Sequence, residues 1–314
     1  MTRTDTDHPT PSTSAARGAG ATLLCWQGLR LTLPRGWNPT RIDGDFAKGS
    51  ILLGDLNRPR MAVRWSSLNK STDPQKWSSR VMREEIGALA CDEAVTHARD
   101  QAWTQSLLYI EPKPPGRDVW VGVHTTSNRG FEVVYQAKRR DRILVDNILP
   151  GLTDEATDAK VRAGASWSIF DLSLTLPRPI PMTQQMLNAG DLALTFSDKK
   201  TSFTVRQVAV AKLALQRFTL EQWLGRTQWT MRKKYRPVDP TTPVELVGFD
   251  GRVMKGFSRK MVRRRRYAWL WWEHVSYVTT ALHDETRDRL VIVQSTDAAM
   301  IPEIVATVGW AEKE

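Results

Sequence analysis

The chain has 314 residues, of which 41% are hydrophobic and 25% charged, and its formal net charge is +11. This composition is typical of a globular protein of two ordinary domains, and the charge favours acidic partners (nucleic acid, anionic lipid or acidic proteins) without predicting a fold. Two cysteines, Cys25 and Cys91, are too few for a disulfide framework or a Cys-rich zinc site, and no window is apolar over the 18 residues that a membrane span needs.

The chain begins with residues 1–21, which are rich in Thr, Ser, Pro and Gly and predict a disordered tail. This segment has no apolar core of the length that a signal peptide needs. We therefore expect a cytoplasmic protein with no membrane span.

The next feature is an internal repeat, because the pentapeptide LTLPR occurs at residues 31–35 and again at 174–178. Further matches flank it in the same order: Trp26 with Trp167, 49–53 with 190–194, 62–64 with 204–206, 73–77 with 219–223, and 134–136 with 292–294. This pattern predicts a tandem duplication, with one domain over 22–156, a linker at 157–164 and a second domain over 165–314. Each copy is longer than a solenoid repeat, so the two are domains rather than an array.

Each copy predicts the same order of elements. A strand of alternating leucines runs into Leu-Pro, where proline ends it because proline cannot donate to a strand ladder. Two short strands follow, and then a helix that begins at Asp73-Pro74 in the first copy and at Thr219 in the second, each with N-capping chemistry. More strands and a short closing helix complete each copy.

Runs of strands separated from helices predict an α+β protein: two tandem copies of an antiparallel sheet flanked by helices. The expected core contains the helix tryptophans and the leucines that precede proline. These residues are Trp77, Trp223, Leu31, Leu33, Leu174 and Leu176.

The segment LTLPRGW at 31–37, followed by two strands, a helix, a meander and a closing helix, resembles the PsbP-like α/β/α sandwich superfamily. That superfamily includes a nuclear Ran-binding protein, the PsbP subunits of photosystem II and bacterial DcrB-like proteins. The second copy lacks the Gly-Trp of the motif. The resemblance implies proteins that bind other proteins or assist assembly, in some DcrB-like members as chaperones for secreted effectors, and it transfers no binding residue.

A basic block interrupts the second copy, which is longer than the first between its helix and its final hairpin. Residues 251–266 hold eight basic side chains and no acidic one, in an insertion predicted around 250–268. Part of the excess length is assigned to the final hairpin, on pairing Thr125-Thr126 with Thr279-Thr280. The candidate residues for binding an anionic partner are Arg232, Lys233, Lys234, Arg236, Arg259, Lys260, Arg263, Arg264, Arg265 and Arg266.

Four adjacent arginines (263–266, hereafter the arginine run) do not fit a strand with one buried face, so we predict a loop or a protruding hairpin end. Two interpretations stay open: a solvated tip, and a site for an anionic partner beside the helix that begins at residue 219. Trp269, Trp271 and Trp272 follow directly and are either core residues or a stacking platform for bases. Cations after a helix also have a structural reason, since they suit the helix dipole.

The sequence has no motif of a known catalytic or cofactor site: no phosphate-binding loop, no dinucleotide fingerprint, no HExxH and no GxSxG. His283-Asp284-Glu285 has no second histidine at metal-ligand spacing. We therefore predict a protein that is not an enzyme and has no cofactor or metal.

The leading hypothesis is a non-catalytic protein-binding scaffold, adaptor or chaperone-like assembly factor with an acidic protein as its partner. The alternative is a binder of nucleic acid or another anionic surface through residues 252–266. An enzyme with an unrecognised site is a third option. The sequence predicts no oligomeric state.

Overall fold

In the computed structural model of this chain, the described residues are 21–55, 57–97, 101–113, 115–137, 142–155, 166–178, 180–188, 190–226, 235–237, 239–267 and 271–310. The side chains of residues 225–226, 235–237, 263–267, 271–274 and 310 are not described. The tail predicted over 1–21, except residue 21, and the linker predicted over 157–164 lie outside the described residues.

The strands are numbered in chain order. The first half contains β1 to β10, which are Thr22–Trp26, Leu29–Leu33, Asn38–Gly44, Lys48–Gly54, Pro59–Ser67, Val95–Thr96, Trp103–Tyr109, Gly116–His124, Arg129–Ala137 and Thr153–Asp154. The second half contains β11 to β21, which are Ser166–Ile169, Leu172–Thr175, Met182–Asn188, Asp191–Ser197, Ser202–Ala209, Tyr235–Pro237, Thr242–Val247, Val253–Tyr267, Trp271–Asp284, Arg289–Ser295 and Gly309–Trp310.

Helices are short and few among the described residues. α1 to α6 are Pro74–Ile86, Ala88–Cys91, Leu149–Gly151, Ala211–Ala214, Leu220–Arg226 and Met300–Val305, and a π-helical turn, Leu144–Ile148, leads into α3. Both N-caps predicted from sequence are confirmed. Asp73 accepts hydrogen bonds from the amides of Gln75 and Lys76, and Thr219 and Gln222 form a reciprocal capping box.

The described strands form three antiparallel sheets. The first-half sheet has the order β3-β4-β5-β9-β8-β7-β6, and the second-half sheet has the order β13-β14-β15-β20-β19-β18-β16, with β17 also paired to β18. A six-stranded central sheet, β10-β2-β1-β11-β12-β21, takes strands from both halves. The two halves are joined there by β1 and β11, which pair antiparallel with Cys25 opposite Ser168.

The two outer sheets share one strand order, and their turns correspond in detail. Gln27 and Phe170 have positive φ angles of 51° and 52° in the turns β1–β2 and β11–β12, and Asn128 and Asp288 have φ angles of 51° and 55° before β9 and β20. Positive φ is uncommon for residues other than glycine, so its recurrence at matching turns is a specific correspondence. The duplication itself stays a prediction, supported by this shared order.

Several of the sequence matches are displaced by two residues in the sheet register. Arg64 and Arg206 correspond, as the match of 62–64 with 204–206 predicts, but their partners on the preceding strands are Ser50 and Ala193. Residue 49 therefore corresponds to 192 rather than to 190. A displacement of two residues keeps every side chain on its own face of a strand, so the hydrophobic pattern alone does not detect it.

The predicted fold class, two helix-flanked sheets in an α/β/α arrangement, is wrong. The structure is 52% strand and 17% helix, and it has three sheets. α1 covers one face of the first-half sheet by packing on β7, β8 and β9, and α5 packs on β18 and β19. The opposite faces bury their apolar residues in one core with the central sheet, and α6 and the turn Leu144–Ile148 also pack into that core.

This common core contains the predicted leucines and spans both halves. Leu31, Leu33, Leu174 and Leu176 are at most 3% exposed, which confirms their predicted position. Trp26 and Trp167 meet edge to face in the core, with ring centroids 5.5 Å apart. Trp77 of α1 and Trp223 of α5 are 9% and 5% exposed, so both are buried as predicted. Each belongs to a separate apolar cluster between its helix and the face of the outer sheet that points away from the common core.

We predict that Leu31→Ala and Leu174→Ala each lower the free energy of unfolding by about 2–5 kcal/mol, because each leaves a cavity in the common core. Both variants should unfold in one transition, since the two halves share that core. Urea unfolding followed by circular dichroism and by tryptophan fluorescence measures this. Thr175→Ala, at an exposed position next to Leu174, is the control and should change little. Two separate transitions would contradict the prediction.

Candidate functional site

The basic block lies on an unusually long hairpin of β18 and β19. The two strands pair continuously from Lys255 opposite His283 to Tyr267 opposite Trp271. On its other side β19 pairs with β20 only from Val278 onwards, so residues 271–277 extend past β20. At about 3.3 Å per residue this extension is roughly 20 Å long. We call residues 261–267 and 271–277 the arm.

The arginine run forms the end of β18, inside the arm. Arg263, Arg264, Arg265 and Arg266 lie opposite Val275, His274, Glu273 and Trp272 in the strand register. The expected hairpin end is therefore found, but the backbone is strand rather than loop. The objection to adjacent charges in a strand holds where a sheet buries one face. Past β20, none of the described strands pairs with β19 on the side away from β18.

The candidate residues Arg232, Lys233, Lys234 and Arg236, which follow the helix capped by Thr219, are described only in part. β16 pairs with β18 beside the arm, with Arg236 opposite Val262 and Tyr235 opposite Arg263. This register places the backbone of Arg236 next to the arginine run. Arg232, Lys233 and Lys234 lie outside the described residues, as does Trp269. Trp271 and Trp272 begin β19.

Closer to the body of the sheet, the basic side chains differ in their partners. Arg252 pairs with Asp250 at 3.2 Å and Lys255 with Glu245 at 3.5 Å. Arg259 donates from Nε to the carbonyl oxygen of Asp239 at 3.2 Å, and Lys260 is exposed with no acidic partner among the described side chains. The positive charge that is not neutralised locally therefore increases towards the arm.

Most of the extra length of the second half lies in this hairpin, and the remainder precedes β18. The turn from His124 to Arg129 in the first half corresponds to the turn from Asp284 to Arg289 in the second, and the two are equally long. The assignment of part of the excess to the final hairpin is therefore wrong. Pairing Thr125-Thr126 with Thr279-Thr280 caused the error, because Thr279 and Thr280 lie inside β19.

A second polar cluster, which sequence reasoning missed, lies under the turn between β8 and β9. Arg129 is fully buried and donates from Nη1 to Asp154 Oδ1 and to the carbonyl oxygen of Gln27, both at 2.9 Å. Its guanidinium lies over the ring of Phe46, 4.4 Å from the centroid. Burial lowers the pKa of Arg129, and the charge of Asp154 opposes that change.

This cluster contains Ser, His and Asp but is not arranged as a nucleophilic triad. Ser127 Oγ donates to Asp154 Oδ2 at 2.6 Å and lies 3.0 Å from Nδ1 of His124. In a triad the carboxylate orients the histidine, whereas here it receives the serine hydroxyl and neutralises Arg129. The second half has Arg289 paired with Asp171 at the corresponding place. Both pairs connect an outer sheet to the central sheet, which is a structural role.

A third cluster connects α1 to the first-half sheet. Arg64 on β5 donates from Nη1 to Glu85 of α1 and to Glu132 of β9, both at 2.7 Å. Burial raises the pKa of Glu132 to about 7, against the lowering effect of Arg64. In the second half Ile292 takes the place of Glu132 in the register, and Arg206 instead pairs with Asp191.

Known classes of site and of protein give no further assignment. Within the described residues no group of three or more His, Cys, Asp or Glu side chains could hold a metal ion, and Asp284 instead accepts the amide of Arg287. No helix in the described part of the chain is long and apolar enough to cross a membrane. The chain matches no protein-family model and no curated protein. Function is therefore inferred from the residues of this chain.

We predict that the stability of the protein falls between about pH 5 and pH 8 through Glu132. The folded state binds this proton more tightly than the unfolded state, whose carboxyl has an ordinary pKa, so stability is greatest below the unfolded pKa and is lost as pH rises through about 7. Glu132→Gln should reduce the loss of unfolding free energy between pH 5 and pH 8 by about 1–3 kcal/mol.

Urea unfolding at several pH values measures this effect. Glu84→Gln, on the exposed face of α1, is the matched control and should keep the slope of the wild type. A wild-type profile that rises over this range relative to Glu132→Gln would contradict the assignment.

Proposed function

We propose that this chain is a non-catalytic protein-binding scaffold, of adaptor or chaperone type, that binds an acidic protein through its arm. The observation that carries the proposal is the extension of β18 and β19 past β20, with the arginine run at its end. A cytoplasmic location is part of the proposal, and the free thiols of Cys25 and Cys91 suit a reducing compartment.

The construction of the arm favours a docking role. Beyond Arg263, where the pairing with β16 ends, the arm is a ribbon of two described strands. Such a ribbon is marginally stable in water, and it gains stability when a further surface packs on it. Within the described strands, residues 271–276 of β19 pair with β18 alone, so this edge of the arm can accept a strand from a partner. A net charge of +11 adds long-range attraction for an acidic partner and raises its rate of association.

A nucleic acid is the second candidate, because the major groove of DNA admits a two-stranded ribbon. Purification of the protein with its bound partners from its native host, with and without nuclease and at two salt concentrations, separates the two. A partner lost on nuclease treatment would favour nucleic acid.

We predict that changing all four arginines of the run to Gln leaves the fold intact and removes most binding to the acidic partner. Exposed substitutions change stability by about 0.5 kcal/mol or less each, whereas four charges contribute strongly to an electrostatic interface. Retention of the partner on the immobilised protein is the measurement, with circular dichroism to check the fold.

The matched control is the change of Lys48, Lys70, Lys76 and Arg83 to Gln, which removes the same charge from exposed positions of the first half. This control should retain binding. Equal loss in both variants would show an effect of net charge alone, and unchanged binding in the arginine variant would return the run to a solvated hairpin end.

A further inference from the structure

Among the described strands, β13 is an edge strand of the second-half sheet at the end opposite the arm, and its sequence has no charge or proline to protect it. We propose that two copies of this chain associate by antiparallel pairing of β13 with β13, which joins their second-half sheets into one. This interaction surface is separate from the arm and does not depend on the function proposed for it.

β13 differs from every other edge strand of the described sheets. Proteins protect sheet edges with proline, charge, bulges or short length, because an unpaired edge is a template for another strand. β6, β10 and β21 have two residues each. β16 contains Arg236 and Pro237, and β17 contains Pro243 and Glu245. β13 has the sequence MTQQMLN, with neither charge nor proline over seven residues.

The corresponding edge of the first half, β3, shows what β13 lacks. Both strands have an irregularity at a threonine whose hydroxyl donates to the neighbouring strand: Thr40 to the carbonyl oxygen of Leu52, and Thr183 to that of Thr195. The bulge is therefore common to both edges and does not distinguish them.

The residues after the threonine do distinguish the edges. Arg41 and Asp43 of β3 are exposed and form an ion pair, and Pro39 precedes them. In the sheet register their positions are taken by Gln184 and Met186 in β13. Thr183, Gln184 and Gln185 are exposed, and Met186 is half-buried. One half thus protects an edge that the other half leaves open.

A second copy of the chain fits this edge for two reasons of charge and symmetry. Two copies that each have a net charge of +11 repel wherever basic side chains meet, and β13 is an edge of the described sheets where none would meet. Pairing a strand with itself about a two-fold axis is isologous and closes after two copies. The protected β3 edge then prevents growth beyond the dimer.

The chain already contains an antiparallel pairing of two corresponding strands, which is a contact of the same type. β1 and β11 are corresponding strands of the two halves, and they pair antiparallel with the corresponding residues Cys25 and Ser168 directly opposite. The central sheet thus joins two similar units across an approximate two-fold axis through strand edges. Pairing of β13 with β13 repeats this arrangement between two chains.

Sedimentation velocity of the full chain over a wide range of concentrations tests the proposal. We expect a monomer–dimer equilibrium that is strengthened by added salt, because salt screens the repulsion between the two positive copies. Gln184→Arg with Met186→Asp places the ion pair of β3 on β13 without changing net charge. Its association constant should fall at least about tenfold, which corresponds to ~1.4 kcal/mol.

Two further variants keep the test decisive. Gln184→Lys, at an exposed position, gives the same weakening if the double variant does not fold. Arg41→Gln with Asp43→Met removes the charges from β3 and should dimerise at least as strongly as the wild type. A wild type that stays monomeric at every concentration and salt overturns the proposal, and so does a folded Gln184→Arg, Met186→Asp variant that dimerises normally.

Discussion

The pairing of β1 with β11 is the contact on which the architecture depends. Each half contributes a hairpin of two short strands, and neither hairpin could form a stable sheet alone. Joined at Cys25 and Ser168, they form a sheet whose apolar face contains Leu24, Leu31 and the edge-to-face tryptophans. Both outer sheets bury one face against the same core. The two similar halves therefore share one core, which is the reason to expect a single unfolding transition.

Polar groups hold the outer sheets to this centre at corresponding places, but with different chemistry. In the first half Arg129 is buried with Asp154 and a backbone carbonyl, so its charge depends on those partners. In the second half Arg289 pairs with Asp171 while both side chains are partly exposed. Removing one partner of the buried pair would leave an uncompensated charge, which costs far more than losing an exposed pair.

Sequence patterns predicted what depends on local chemistry. The leucines before proline, the two helix N-caps and the buried helix tryptophans follow from alternation, capping residues and side-chain size. The pairing of β1 with β11 was not predictable, because alternation shows which face of a strand is buried but not which strand lies beside it. The same limit explains why helices were expected on both faces of each sheet. Arg129 was missed because a charged residue at the start of a strand is usually exposed.

The candidate sites were predicted unevenly for a related reason. A run of four arginines is visible in any sequence, but its strand conformation depends on where β20 ends, which is a tertiary fact. The open edge has no compositional signal at all. MTQQMLN is an unremarkable segment until the sheet order places it outermost and the register sets it against the proline and charges of β3.

The two proposed surfaces lie at opposite ends of the second-half sheet, and this arrangement gives them a joint consequence. β13 is the first strand of the order and β18 is next to the last. A dimer through β13 therefore leaves both arms clear of the dimer contact, roughly 50 Å apart across the strands at about 4.8 Å per strand, and antiparallel pairing points them in opposite directions. An acidic partner with two sites at that spacing would bind both arms, and the second contact would be intramolecular and correspondingly tighter. In this proposal the features that distinguish the second half from the first provide both the arm and the means of presenting two of them.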